Sequence, residues 1–175
     1  LHAVLHRLVD PPVELLNEVQ AQVLALGEAL RARGWHMATA ESCTGGLLAA
    51  ACTSVAGSSD WFERGFVTYS NEAKTQMLGV PARLIERHGA VSEEVARAML
   101  AGALAQAPVQ LAVAVTGIAG PAGEVPGKPV GTVWLAWGSV DRTKAQRLQL
   151  GGDRAGVRAA SVRVALSHLL DAARA

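Results

Sequence analysis

His36-Met37-Ala38-Thr39-Ala40-Glu41-Ser42-Cys43-Thr44-Gly45-Gly46-Leu47-Leu48-Ala49-Ala50-Ala51-Cys52-Thr53 is the stretch on which the fold turns. His36 to Ala40 reads as a short strand, and Leu47 to Thr53, almost wholly apolar or small, as a buried helix. A strand that passes through a polar turn into a helix presents backbone N–H groups and a positive dipole end. Such a junction can hold a phosphate or carboxylate, or stabilise an oxyanion. Ser42 is placed there as a nucleophile. The competing reading is that Ser42 and Thr44 only cap the helix. Gly45-Gly46 costs stability at a helix start, and close approach of a ligand is one reason to keep it. The segment has neither the spaced Gly-Lys-Ser/Thr of a Walker loop nor a G-x-G-x-x-G pattern.

Upstream, Leu15, Leu16, Val19, Val23, Leu26 and Leu30 recur at three- and four-residue steps, which predicts an amphipathic helix over Val13 to Arg33, ending before Gly34. Pro11-Pro12 reads as the edge of a linker, so residues 1–12 are expected to be an extension or linker remnant and 13–175 the domain. Beginning at Leu1 rather than Met, the chain reads as a fragment or the C-terminal part of something longer. Downstream, Asp60 is expected to cap a short helical turn with Glu63 three residues on, and Phe66 to Tyr69 to form a strand. Helices are expected from Ser70 or Asn71 to Leu78, from Pro81, from Ser92 to about Gln106 and from about Asp153 to Ala172. Val109 to Val115, Gly131 to Trp137 and Ala145 to Leu150 read as strands. Interleaved strands and helices predict a layered α/β fold, and the short links between the last three strands predict a mixed sheet with an antiparallel part.

The 175 residues carry a net charge of +1, are 50% hydrophobic and 18% charged, and include 33 Ala and 18 Gly. That suits a core-forming globular domain whose backbones pack closely. Balanced charge without like-charge runs argues against a nucleic-acid partner. The absence of a long uninterrupted apolar stretch argues against a membrane span, and a cytoplasmic setting with reduced Cys43 and Cys52 is expected. His2, His6, His36, His88 and His168 suggest no metal site.

Three further segments bear on chemistry. Tyr69 and Lys74, five apart, would stand about 140° from each other on one helix, so they converge only if Tyr69 closes a strand and Lys74 opens a helix. A lysine in a partly apolar site can lose its proton and serve as base to a serine, whereas the plainer reading is a surface Lys beside a half-buried Tyr. Val113 to Pro121 is a strand running into a Gly-rich loop that reaches Gly131, where Thr116 and backbone donors could line a ligand site. Arg154 either clamps a phosphate or pairs with Asp153. Cys43, with no local His, reads as a small buried hydrophobe, and Trp61, Trp134 and Trp137 as core or interface.

Ala40-Glu41-Ser42-Cys43-Thr44-Gly45-Gly46, Gly57-Ser58-Ser59 through Lys74, His88-Gly89-Ala90-Val91-Ser92, Thr116 to Pro121, Lys128 to Val133 and Gly152-Asp153-Arg154, in that order, resemble the CinA C-terminal domain family of nicotinamide-nucleotide amidases. The resemblance implies a three-layer α/β/α sandwich that hydrolyses nicotinamide mononucleotide to nicotinate mononucleotide and ammonia in pyridine-nucleotide recycling, without metal or cofactor. It puts the nucleophile on Ser42, with Tyr69 and Lys74 assisting, and implies substrate contacts at Cys43, Thr44, Gly45, Gly46, Asn71, Thr116, Gly117 and Arg154. It also implies either a stand-alone chain or fusion behind a molybdopterin-binding-like domain, and it makes a homo-oligomer plausible. A short-chain dehydrogenase, which pairs Tyr and Lys four apart and needs a glycine fingerprint, fits poorly. A phosphate-ligand binding or regulatory module without catalysis is the non-enzymatic rival.

Overall fold

Side-chain size alternates along the three central strands, and this alternation sorts the helices onto the two faces of the sheet. The computed structural model describes the chain from His2, with side chains from Val13 onward. Its elements in order are α1 (His2–Arg33), β1 (Met37–Glu41), α2 (Leu47–Thr53), a 3-10 turn (Ser58–Asp60), β2 (Phe62–Val67), α3 (Asn71–Leu78), α4 (Ala82–His88), α5 (Glu93–Gln106), β3 (Leu111–Gly117), β4 (Thr132–Ser139), β5 (Arg142–Gln149) and α6 (Arg154–Arg174). The strand order is β2-β1-β3-β4-β5. β2, β1 and β3 are parallel, while β4 and β5 are antiparallel additions, so the expected mixed sheet is present.

One face presents Met37, Leu111, Val113, Val115, Val133, Leu135 and Trp137 to α1, α2 and α6. From α1, Leu15, Val19, Val23, Leu26 and Leu30 all lie in that layer, and each such burial contributes about 1.5–3 kcal/mol. The other face presents Ala38, Ala40, Ala112, Ala114 and Ala136, against which α3, α4 and α5 pack. Alanines there let α5 sit close to the sheet, and Gly102 lets α5 meet α3, because a Cβ at that position would overlap the Leu78 carbonyl oxygen. The small-residue surplus is thus concentrated in one of the two interlayer contacts. Trp134 and Trp137 fall in opposite layers, as their three-residue spacing on a strand requires.

The boundaries correct several expectations. β2 begins at Phe62 and ends before Thr68, so Tyr69 lies beyond the strand rather than closing it. The 3-10 turn has Gly57 as its N-cap and ends at Asp60, and Glu63 belongs to β2, so no Asp60–Glu63 capping box forms. The bounds of α1 extend before Val13; the expected linker remnant over 1–12 lies outside the residues whose side chains are described. The Gly-rich loop after β3 is held by a bridge between Val125 and Lys128, by Lys128 Nζ donating to the His88 carbonyl at 2.6 Å, and by Arg147 donating to the Gly127 carbonyl at 2.8 Å. No helix among the described residues is long and apolar enough to cross a membrane.

β1 lies between β2 and β3, and the chain leaves it toward β2 through α2 on one face, then returns to β3 through α3, α4 and α5 on the other. The carboxyl ends of β1 and β3 therefore flank a topological switch point, where open α/β sheets place their ligands.

Candidate active site

Ser42 follows the last residue of β1. Its N–H donates to the Val115 carbonyl at 2.9 Å, extending the pairing to β3 by one residue, and its own carbonyl accepts from Gly45 N–H at 3.0 Å. The chain then has to reverse into α2. Gly45 at φ +56° and Gly46 at φ +98° supply the left-handed conformations for this, which residues with a Cβ rarely adopt. A Cβ on Gly46 would meet only Val67, at an ordinary 3.5 Å, so conformation rather than ligand approach explains the second glycine.

The helix start is not available to a ligand. Glu41, fully buried, accepts from Leu48 N–H at 2.9 Å, Ala49 N–H at 3.0 Å, the Thr44 hydroxyl at 2.7 Å and the Thr39 hydroxyl at 3.3 Å. The anion at the N-terminus of α2 belongs to the protein itself. Neither Ser42 nor Thr44 caps α2; Gly46 holds the N-cap position and has no side chain to offer. Arg158 completes the brace from α6, donating to the carbonyls of Cys43 (3.1 Å) and Thr44 (3.2 Å).

Lys74, only 1% exposed, reaches the same turn from α3. Its Nζ lies 3.0 Å from Ser42 Oγ and donates to the carbonyls of Thr68 at 2.9 Å and Tyr69 at 3.1 Å. Ser70 caps α3 by accepting from Ala73 N–H, which fixes the helix start and so the direction of Lys74. No carboxylate pairs with Lys74 among the described residues. Burial holds its ammonium below the ordinary lysine range of 10.5, against smaller opposing pulls from Cys43 and Glu72. The Cys43 thiol is pushed up to about 11, chiefly by burial, so it stays protonated at neutral pH beside the serine.

Ser42, Cys43, Asn71, Lys74, Thr116, Gly117 and Arg154 all line one cavity of about 270 Å³, together with the loop Ile118 to Gly120. Its lining carries two cations, Lys74 and Arg154, and no acid. Thr44, Gly45 and Gly46, expected as substrate contacts, stand behind the turn instead, because Thr44 is bonded to Glu41 and the Gly45 amide is spent on Ser42. Among the described residues the Cys43 amide has no carbonyl partner. The Thr116 hydroxyl donates to the Ala90 carbonyl at 2.9 Å, so Thr116 joins the loop before α5 to the cavity wall. Gly117 is required by the sheet, since a Cβ would come within 2.7 Å of Val133.

Tyr69 sits at the rim, 62% exposed. Its hydroxyl accepts from Arg154 Nη2 at 3.2 Å, while Arg154 Nη1 donates to the Gly120 carbonyl at 3.0 Å. The Tyr69 carbonyl, not its hydroxyl, touches Lys74. Asp153 caps α6 by accepting from Gly156 N–H, so Arg154 does not pair with it and instead spans the cavity mouth. Sequence reasoning gave no role to Glu41 or Arg158. The signal for Glu41 was the glycine at the N-cap of α2, which leaves the first helical amides needing an acceptor from elsewhere.

Residues 19–173 match the model of the CinA C-terminal domain. The chain is 56% identical over 155 residues to the nicotinamide-nucleotide amidohydrolase PncC of Pseudomonas putida, covering 89% of this chain and 97% of that protein. It is 52% identical over 145 residues to the protein of the same name from Escherichia coli K12, covering 82% and 88%. A CinA-like protein of Colwellia psychrerythraea matches at 51% identity over 78% of this chain but only 32% of its own length. Among solved structures, the competence damage-inducible protein A from Klebsiella pneumoniae superposes with a TM-score of 0.84 at 44% identity, covering 86% of this chain and 94% of that one. Motif order, architecture and matched length agree, and the chain belongs to the CinA C-terminal domain family.

Proposed function

We propose that this chain is an amidase that hydrolyses the carboxamide of nicotinamide mononucleotide to nicotinate mononucleotide and ammonia, with Ser42 as nucleophile and Lys74 as its base. The observation that carries the reading is the 3.0 Å approach of Lys74 Nζ to Ser42 Oγ, both side chains buried at the floor of an acid-free cavity. Two high-identity relatives named nicotinamide-nucleotide amidohydrolase support the substrate class.

In its neutral form Lys74 has two hydrogens and one lone pair. The Thr68 and Tyr69 carbonyls accept the hydrogens, which leaves the lone pair for the Ser42 hydroxyl proton. Ser42 Oγ then bonds to the amide carbon as its proton passes to Lys74. The oxyanion is held by the Cys43 amide, the first N–H after the nucleophile. Collapse expels ammonia, which takes the proton back from Lys74, and leaves an ester on Ser42. Water adds to that ester with Lys74 again accepting a proton, and nicotinate mononucleotide leaves as the serine is reprotonated. Arg154, at the rim, faces the phosphate, and Asn71, Thr116 and Gly117 shape the wall. Tyr69 acts by holding Arg154 and by offering its carbonyl to Lys74. A place in pyridine-nucleotide recycling, a cytoplasmic setting, assembly as a homo-oligomer and fusion to a molybdopterin-binding-like domain in a longer parent belong to the same proposal.

Ammonia release from nicotinamide mononucleotide by Ser42→Ala and Lys74→Met tests it. Loss of each group is expected to lower kcat by about 10³-fold or more, since nucleophile and base act as one unit. Retention of activity in both variants would overturn the assignment of nucleophile and base, whereas absence of ammonia release by the parent would leave a phosphate-ligand binding module as the surviving reading.

A further inference from the structure

A cavity of about 470 Å³ on the α1/α6 side lies at the opposite end of the strands from Ser42 and shares no lining residue with the Ser42 cavity. It is walled by the end of α1, the end of β4, the start of β5 and the last turns of α6. Trp137 and His168 stack face to face, centroids 3.8 Å apart and 9° from parallel. The Arg33 guanidinium lies 3.6 Å over the Trp35 ring and donates to the Ala173 carbonyl, which holds it at the cavity edge. Strand pairing sets Lys144 opposite Trp137 and Arg142 opposite Ser139, so both cations project on the aromatic face.

The charge in this cavity is unbalanced. Arg33, Arg142 and Lys144 line it with one acidic side chain, Asp171, and Arg33 is taken up by the Ala173 and Ala175 carbonyls, which leaves Arg142 and Lys144. Among the described residues neither Arg142 nor Lys144 has a carboxylate within ion-pair range. Burial, with Lys144 adding to it and Asp171 opposing, lowers the proton affinity of His168, which keeps its ring a neutral stacking partner. Aromatic rings beside two cations without ion-pair partners among the described residues, in a volume within the usual range for small-ligand sites, suit a flat ring that bears an anionic group.

We infer that this cavity binds a nucleoside phosphate, with its base beside the half-buried rings of Trp35 and His168 and its phosphates on Arg142 and Lys144. The site is independent of the amide chemistry at Ser42. Calorimetric titration of the full chain with ADP tests it, alongside adenosine and pyrophosphate. Saturable ADP binding is expected, at least tenfold weaker in the Arg142→Ala/Lys144→Ala double variant and unchanged in Arg154→Ala. Both substituted cations are exposed, so the double variant should fold, and an unchanged melting curve checks this. Absence of saturation by about 1 mM ADP would overturn the inference. So would equal affinity in the double variant, loss of binding in Arg154→Ala, or adenosine or pyrophosphate alone binding as tightly as ADP.

Discussion

Glu41→Gln isolates the internal anion that organises the turn at Ser42. The change keeps shape and volume but replaces one carboxylate oxygen by an amide NH₂. The two oxygens have separate partners: Oε1 accepts from the Thr44 hydroxyl and Leu48 N–H, and Oε2 from the Thr39 hydroxyl and Ala49 N–H. If the NH₂ replaces Oε2, the Ala49 amide faces a donor and the Thr39 hydroxyl must reverse. If it replaces Oε1, the Leu48 amide is stranded instead. Either way at least one charge-assisted bond is lost, at about 1.5–3 kcal/mol, together with the favourable charge at a helix start, about 0.3–2 kcal/mol. The expected loss is roughly 3 kcal/mol, which for a domain of this size lowers Tm by roughly 6–12 °C. Urea unfolding of the variant beside the parent measures it, with Glu41→Ala expected to be worse because two buried amides and a cavity remain. A change under about 0.5 kcal/mol would refute the reasoning, since it would mean that the carboxylate is not what satisfies α2.

Lys74 links activity and stability to pH with a defined sign. Its folded-state proton affinity lies below 10.5, so kcat/KM should climb with pH on the acid side as Lys74 loses its proton, and a Lys74→Met variant should lose that limb. The unfolded chain binds more protons at Lys74 than the folded one between the two values. Lys74 therefore destabilises the fold fully at lower pH, and this is relieved as pH rises through the folded value toward 10.5. The stability of Lys74→Met relative to the parent should accordingly fall with rising pH, which parallel urea titrations would reveal; a flat difference counts against a buried lysine. Gly102→Ala should cost about 1–3 kcal/mol or more by forcing α5 from α3, and thermal melting checks it. Among the described residues the Thr68 hydroxyl is buried without a partner, so Thr68→Val should raise stability by about 1 kcal/mol in the same assay.

Much of the fold is legible in periodicity. The α1 face, the α5 start at Ser92, α2 and the antiparallel β3-β4-β5 part follow from local pattern and turn chemistry. What local pattern misplaces is β2, because Phe62-Glu63-Arg64-Gly65-Phe66-Val67 is a largely exposed edge strand whose charged residues blur the alternation. Its existence depends on parallel pairing with β1, a contact that no local window contains. The alanine surplus announces close packing, but only the sheet register places it opposite α5.

The site shows where sequence reading runs out in a different way. Spacing along the chain says that Tyr69 and Lys74 converge only if Tyr69 closes a strand and Lys74 opens a helix; β2 instead ends at Val67, Tyr69 meets Lys74 through its carbonyl alone, and the approach of Lys74 to Ser42 is visible only in the fold. Nor can spacing say which donors at a strand-to-helix junction are already taken. The same local motif is read as a ligand cradle or as an internal brace depending on one side chain, Glu41, whose carboxylate points into α2 rather than to solvent. Once that anion fills the helix start, the amides of α2 are spent. The free donors shift forward to Cys43, and the basic side chains that line the cavity are Lys74 and Arg154. The turn therefore divides its labour by direction. Its helix side is closed by Glu41 and Arg158, and this fixed geometry holds Ser42 Oγ toward the cavity while Lys74 approaches from the opposite layer of the sandwich.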